Sequence, residues 1–197
     1  GGKNAQIVMD DADLELALEG ALWGAYGTTG QRCTATSRLI LHKKIADVFT
    51  KQFVERASKI RIGNGLDDKT QMGPVVNKEQ QDVVAEYVRI GLEEDKADLI
   101  LGGRALKEGE YSKGFFFQPT VFTNVKRTMR IAREEIFGPV VSILTVDNLD
   151  EAIDTLNDTE YGLSSSIYTR DVNNAFKAIR DIQAGITYIN VPTIGAE

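Results

Sequence analysis

The 197-residue chain is poor in the residues from which the most recognisable sites are built. A single cysteine excludes an internal disulfide, and a single histidine excludes a histidine-rich metal centre. Lys and Arg number 23 against 29 Asp and Glu, so the formal net charge of −6 argues against a nucleic-acid partner, which needs a clustered basic surface. No uninterrupted apolar stretch is long enough to span a bilayer, and residues 1–13 lack the charged, apolar and small-residue order of a signal peptide. The pairs Gly1-Gly2 and Gly102-Gly103 lack the fuller glycine spacing of a dinucleotide fingerprint or a P-loop. There is no internal repeat and no low-complexity linker. These absences leave a soluble protein of a reducing compartment, with the cytoplasm as the expected location and no membrane partner.

What is present suits one packed domain: 42% of residues are hydrophobic, enough for a sizeable core. Asp10, Asp11 and Asp13 precede a helical pattern running to about Tyr26, where "GTTG" ends it. "SRLILH" reads as a short buried strand, and Ile45, Val48, Phe49, Phe53, Val54 and Ala57 recur at helical spacing. Glycine and proline mark a loop from Ile60 to Val76, followed by a helix from Lys78 to about Glu94 and a strand in "DLILGG". "GFFFQPTVFTNV" is β-rich, but Pro119 removes a ladder donor and predicts an edge or a break. "PVVSILTV" is the clearest strand; a helix capped by Asn148, the strand "SSSIYT", the helix "DVNNAFKAIRDI" and the strand "GITYIN" follow. Strands that alternate with helices and are apolar on successive residues predict an α/β fold of three layers, a mostly parallel sheet with helices on both faces. The opening "GGKNAQIVMDD" and the closing "NVPTIGAE" lack the look of natural termini, so the chain is expected to be a piece of a longer protein.

Two stretches could carry chemistry. Cys33 lies in "GTTGQRCTATSR", on a glycine-flanked turn beside Arg32. A cationic neighbour favours the thiolate, the nucleophilic form, and a turn can aim backbone N–H groups at an oxyanion. A lone cysteine is also a common small core residue, and both readings stand on these residues alone. "EEIFGPV" places two acids and an aromatic before the most buried strand. It reads either as a solvated acidic turn with Phe137 in the core, or as a ligand loop if it lies at the carboxyl ends of the strands, where open α/β sheets bind ligands. His42 ends a strand without an obvious partner and reads as structural.

Taken together, "GGKNAQIV", "GQRCTATSR", "GNGLDDKTQMGPVV", "EEIFGPVVSIL", "YGLSSSIYTRD" and "GITYIN" resemble, in order and over essentially the whole chain, the catalytic domain of NAD(P)-dependent aldehyde dehydrogenases. The resemblance implies that Cys33 is the nucleophile, attacking an aldehyde to give a thiohemiacetal and then a thioester, with its own N–H as half of the oxyanion hole. It implies that Glu135 holds the nicotinamide ribose of NAD or NADP, that Phe137 flanks the nicotinamide end, and that Gln80 touches the cofactor. It places Arg32, Thr34 and Ile194 at the substrate. Arg32 would anchor a carboxylate or phosphate on the aldehyde, or else pair with a neighbouring acid or tune the thiol. "GQRC" with the closing "TIGAE" is most similar to the branch acting on acidic semialdehydes, such as α-ketoglutaric or α-aminoadipic semialdehyde. Non-phosphorylating oxidation of glyceraldehyde 3-phosphate shares the arginine.

The resemblance also implies parts that lie upstream of Gly1: the general-base glutamate, the oxyanion-hole asparagine, the cofactor domain and an arm joining subunits into a homo-oligomer. None of Glu19, Glu134 or Glu135 matches the base. The 197 residues alone are therefore expected to turn over little or no aldehyde. A non-catalytic α/β binding or assembly module and a thiol esterase are the competing readings.

Overall fold

Strands that are apolar on successive residues need a core on each face, and the computed structural model, which describes residues 1–195, has both. The chain forms β1 (Ala5–Val8), α1 (Leu14–Tyr26), β2 (Arg38–His42), α2 (Lys43–Ser58), α3 (Lys78–Glu93), β3 (Asp98–Leu101), β4 (Ala105–Leu106), β5 (Phe116–Phe117), β6 (Thr120–Thr123), α4 (Arg130–Arg133), β7 (Val140–Val146), α5 (Leu149–Asn157), β8 (Ser164–Tyr168), α6 (Val172–Asp181) and β9 (Ile186–Ile189). Seven strands share one sheet in the order β3-β6-β7-β2-β1-β8-β9. Every neighbouring pair is parallel except β3 with β6. Ile7, Ile40 and Leu144 pack on the face covered by α3 and α5, whereas Val8, Leu39, Leu41 and Ile143 face α1 and α2. The predicted α/β class with helices on both faces is what the structure contains.

Three local outcomes matter for the site. First, β1 is a central strand that the sequence patterning does not reveal: four residues, all buried, carry no alternation to read. Second, Pro119 acts as a break, separating β5 from β6, and β6 is an interior strand of the large sheet. Third, α1 approaches β8 through glycine. Asp13 caps its first turn by accepting the Leu16 N–H at 3.1 Å, and small residues line its buried side. A Cβ on Gly20 would stand 2.1 Å from the Tyr168 hydroxyl, so only glycine permits this approach.

One charged residue inside the fold, Arg38, is satisfied by backbone. Arg38, fully buried, donates to the carbonyls of Lys3, Thr155 and Leu156 at 2.6–3.0 Å, closing the C-terminal end of α5. Burial lowers its pKa to about 10. His42 is structural, as expected: its Nδ1 accepts the Lys44 N–H at the start of α2.

Candidate active site

The turn between α1 and β2 is built so that its carbonyls face inward. Backbone bonds fold it: Thr29 N–H to Tyr26 O at 3.0 Å, Gln31 N–H to Thr28 O at 3.0 Å and Ala35 N–H to Arg32 O at 3.0 Å. Gly30 has φ of +67° and lies against the loop before β7: a Cβ there would stand 2.0 Å from the Gly138 carbonyl oxygen. The Asn4 side-chain amide donates to Cys33 O at 2.8 Å and Ala35 O at 2.9 Å, and Thr193 Oγ1 donates to Thr34 O at 2.6 Å. A hydroxyl has one proton, so in the 2.9 Å contact between Thr193 and Thr36 it is Thr36 that donates. The Cys33 side chain is exposed, and among the described residues its N–H donates to no acceptor.

Thr193 reaches this turn because the chain reverses after β9. Ser166 and Ser164 hydroxyls on β8 donate in turn to Val191 O and Thr193 O, at 2.5 and 2.6 Å, drawing the segment back over the sheet. Ile194 follows it and is buried, as is Thr34. Of the closing motif "TIGAE", Ala196 and Glu197 lie outside the described residues.

The loop 134–139 forms the opposite wall. Glu134 accepts Arg130 Nε and Nη2 at 2.8 and 3.0 Å and the Tyr87 hydroxyl at 2.9 Å. The Arg130 guanidinium holds the Glu134 carboxyl below its usual range, and burial with this carboxylate pushes Tyr87 up to about 12. Gln80 Nε2, at the start of α3, donates to Ile136 O at 2.9 Å and Phe137 O at 3.0 Å. Phe137 is held at φ of +57° with its side chain partly in solvent, 38% exposed. The solvated-turn reading with Phe137 in the core is thereby corrected. Glu135 Oε1 accepts the Gly2 N–H at 2.9 Å. Gly2, Gly30, Arg32, Glu135, Phe137 and Gly138 line one cleft.

Arg32, Glu135 and Phe137 thus share one cleft, and Gly2 joins it to the Cys33 turn: its N–H bonds Glu135, and a Cβ on it would stand 2.6 Å from Cys33 O. Gln80 lies behind the loop, while Thr34 and Ile194 are buried and do not line the cleft. Turn and cleft meet at an unexpected end of the sheet. The Cys33 turn precedes β2, the Glu135 loop precedes β7, and Gly2 precedes β1, so the cleft lies at the amino ends of parallel strands. The carboxyl-end rule for open α/β sheets does not describe it.

Two buried residues beside the turn and the cleft escape sequence reasoning. Asn4 is one; Lys3 is the other, 2% exposed, with an Nζ that has no partner among the described residues. Burial and the Arg38 charge lower its pKa to about 7, while Glu135 and Glu134 pull it upward. The only signal for either was a polar pair directly preceding a short apolar run.

Comparison with known proteins agrees along the whole chain. The model of the aldehyde dehydrogenase family matches residues 1–197. A betaine aldehyde dehydrogenase of Mesorhizobium japonicum is 50% identical over 190 residues, 96% of this chain and 39% of that protein. An alpha-ketoglutaric semialdehyde dehydrogenase of Bacillus subtilis is 43% identical over 197 residues, all of this chain and 40% of that protein. The crystal structure of a betaine aldehyde dehydrogenase from Staphylococcus aureus in complex with NAD+ superimposes with a TM-score of 0.94 at 39% identity, covering 97% of this chain and 38% of that one. The chain therefore spans about two fifths of the length of the curated relatives it matches.

Proposed function

The chain belongs to the aldehyde dehydrogenase family, and from that premise we propose that it supplies the nucleophile and the nicotinamide-side wall of an enzyme oxidising an aldehyde to a carboxylate with NAD or NADP. The observation that carries this reading is the Cys33 turn: an exposed cysteine whose N–H has no acceptor among the described residues, on a backbone whose carbonyls are held from behind by Asn4 and Thr193. The Cys33 thiolate attacks the aldehyde carbon, a C–S bond forms, and the resulting oxyanion meets the Cys33 N–H. NAD or NADP, when bound, supplies the hydride acceptor. Water then cleaves the Cys33 thioester, releasing the acid and the thiolate. The residues present fit the cofactor's nicotinamide end: an acidic side chain anchored through one oxygen to Gly2 and a part-exposed aromatic ring stand on the same loop. Glu135 holds ribose hydroxyls, Phe137 flanks the ring, and Gln80 serves the cofactor by fixing the loop's carbonyls.

Arg32 lines the same cleft and selects an aldehyde bearing an anion, an acidic semialdehyde first. Betaine aldehyde carries a quaternary ammonium, which a guanidinium disfavours. Thr34 and Ile194 form the floor of the substrate pocket. The longer protein supplies the base, the cofactor domain and the arm of a homo-oligomer, so the 197 residues alone turn over little or no aldehyde. An exposed catalytic thiol suits the cytoplasm.

The test is NAD(P)H formation by the longer protein with α-ketoglutaric semialdehyde and betaine aldehyde. Cys33→Ala abolishes turnover of both if the reading holds. Arg32→Ala reduces kcat/KM for the semialdehyde by about a hundredfold, the scale of losing a charge-assisted pair, and spares betaine aldehyde. Equal turnover of both aldehydes by the Arg32→Ala variant and the parent would remove the semialdehyde preference.

A further inference from the structure

We propose that Asn4 is a positioning residue for the nucleophile; this rests on the reading of Cys33 as an acyl-accepting thiol. Two peptide planes flank the Cys33 Cα. The plane carrying its N–H includes Arg32 O, which the Ala35 N–H holds at 3.0 Å. The plane carrying its own carbonyl is held by Asn4 Nδ2 at 2.8 Å. With both planes fixed, the direction of the Cys33 N–H and of its Cα–Cβ bond is fixed relative to the sheet.

Asparagine suits this position through its donor count. It is 3% exposed, its amide nitrogen donates to both Cys33 O and Ala35 O, and its Oδ1 accepts the Ser164 N–H at 3.1 Å. Swapping amide nitrogen and oxygen would set an acceptor against two carbonyls, so this network admits one orientation. The side chain thereby joins the start of β1, the start of β8 and the thiol turn. Gly2 leaves the room: a Cβ there would stand 2.6 Å from Cys33 O and 2.7 Å from Asn4 Oδ1. Asp keeps the shape of Asn4 but loses both donors, and Ser keeps one.

The role separates two reactions of the same sulfur. Alkylation by iodoacetamide needs a reactive thiolate but no oxyanion donor. Acylation by p-nitrophenyl acetate needs the sulfur to attack a carbonyl carbon while an oxyanion forms at the N–H; the C–S bond forms and p-nitrophenolate leaves. Neither reaction needs the cofactor, so the test is independent of dehydrogenase activity. In the folded protein, Asn4→Asp and Asn4→Ala slow acylation of Cys33 by about tenfold or more, as expected for a misplaced reacting group, while alkylation stays within about twofold. Asn4→Ser falls between, and it serves as the readout where circular dichroism shows the other variants unfolded. Acylation within about twofold of the parent in a folded variant overturns the positioning role, as does an equal loss of both reactions. Absence of Cys33-dependent acylation in the parent overturns the nucleophile assignment itself.

Discussion

Two glycine-punctuated loops of this chain look alike in sequence and are built in opposite ways. The turn 27–36 and the loop 61–75 are both polar, both interrupted by glycine, and both separate regular elements. The loop 61–75 is tied mainly by its own residues at the surface. Arg61 Nε donates to Lys69 O at 2.6 Å, Lys69 N–H to Asp67 Oδ1 at 2.9 Å and Leu66 N–H to Asn64 Oδ1 at 3.0 Å, and Leu66 is 93% exposed. The thiol turn takes its decisive partners from far along the chain, Asn4 from before β1 and Thr193 from after β9. Local ties make a loop that any compatible sequence could replace. Distant buried ties fix a backbone in one orientation, which an attacking sulfur needs.

The largest test of this contrast pairs two glycine substitutions. Gly30→Ala adds a Cβ at φ of +67° against a backbone oxygen 2.0 Å away, whereas Gly65→Ala enters open space. Strain plus overpacking at Gly30 costs about 4 kcal/mol, against less than about 0.5 kcal/mol at Gly65, read from urea midpoints. Similar midpoints for the two variants would break the comparison.

Lys3 gives the next effect and adds pH to it. Its pKa falls from 10.5 to about 7 on folding, so below pH 7 the folded protein carries the full cost of a buried charge. The cost shrinks as pH rises above about 7 and vanishes above 10.5, where the amine is neutral in both states. Lys3→Met therefore stabilises by about 3 kcal/mol at pH 6 and by progressively less at alkaline pH. A gain independent of pH would show that Lys3 stays charged in the fold.

Thr193→Val comes third. It strips the donor from Thr34 O and the acceptor from Thr36, for about 2 kcal/mol, with slower acylation of Cys33. Asp67→Ala, which removes only a surface turn bond, costs about 0.5 kcal/mol and leaves Cys33 reactivity unchanged. A larger loss for Asp67→Ala than for Thr193→Val would invert the argument.

Much of the fold was legible because its signals are local. Asp13 and Asn148 announce their helices by capping them, and Pro119 marks a true break. β2 and β7 betray burial on both faces by continuous apolar runs. β1 was silent because four buried residues have no period, although the whole site hangs from its start. Cys33, Arg32, Glu135 and Phe137 were singled out as candidates through local chemistry and resemblance. Asn4 and Lys3 were not, because their roles depend on groups distant in sequence and reverse the habit of polar residues facing water. The end of the sheet was left open for a similar reason: strand direction relative to the motif loops is a property of topology, and no single motif contains it.

The most direct measurement is the mass of the Cys33 peptide from the longer protein, acid-quenched while turning over α-ketoglutaric semialdehyde with NAD+. The account predicts a peptide heavier by the substrate's acyl group, present only while aldehyde and NAD+ are both supplied and absent from Cys33→Ala. Turnover that proceeds with Cys33 unmodified and Cys33→Ala fully active would contradict it.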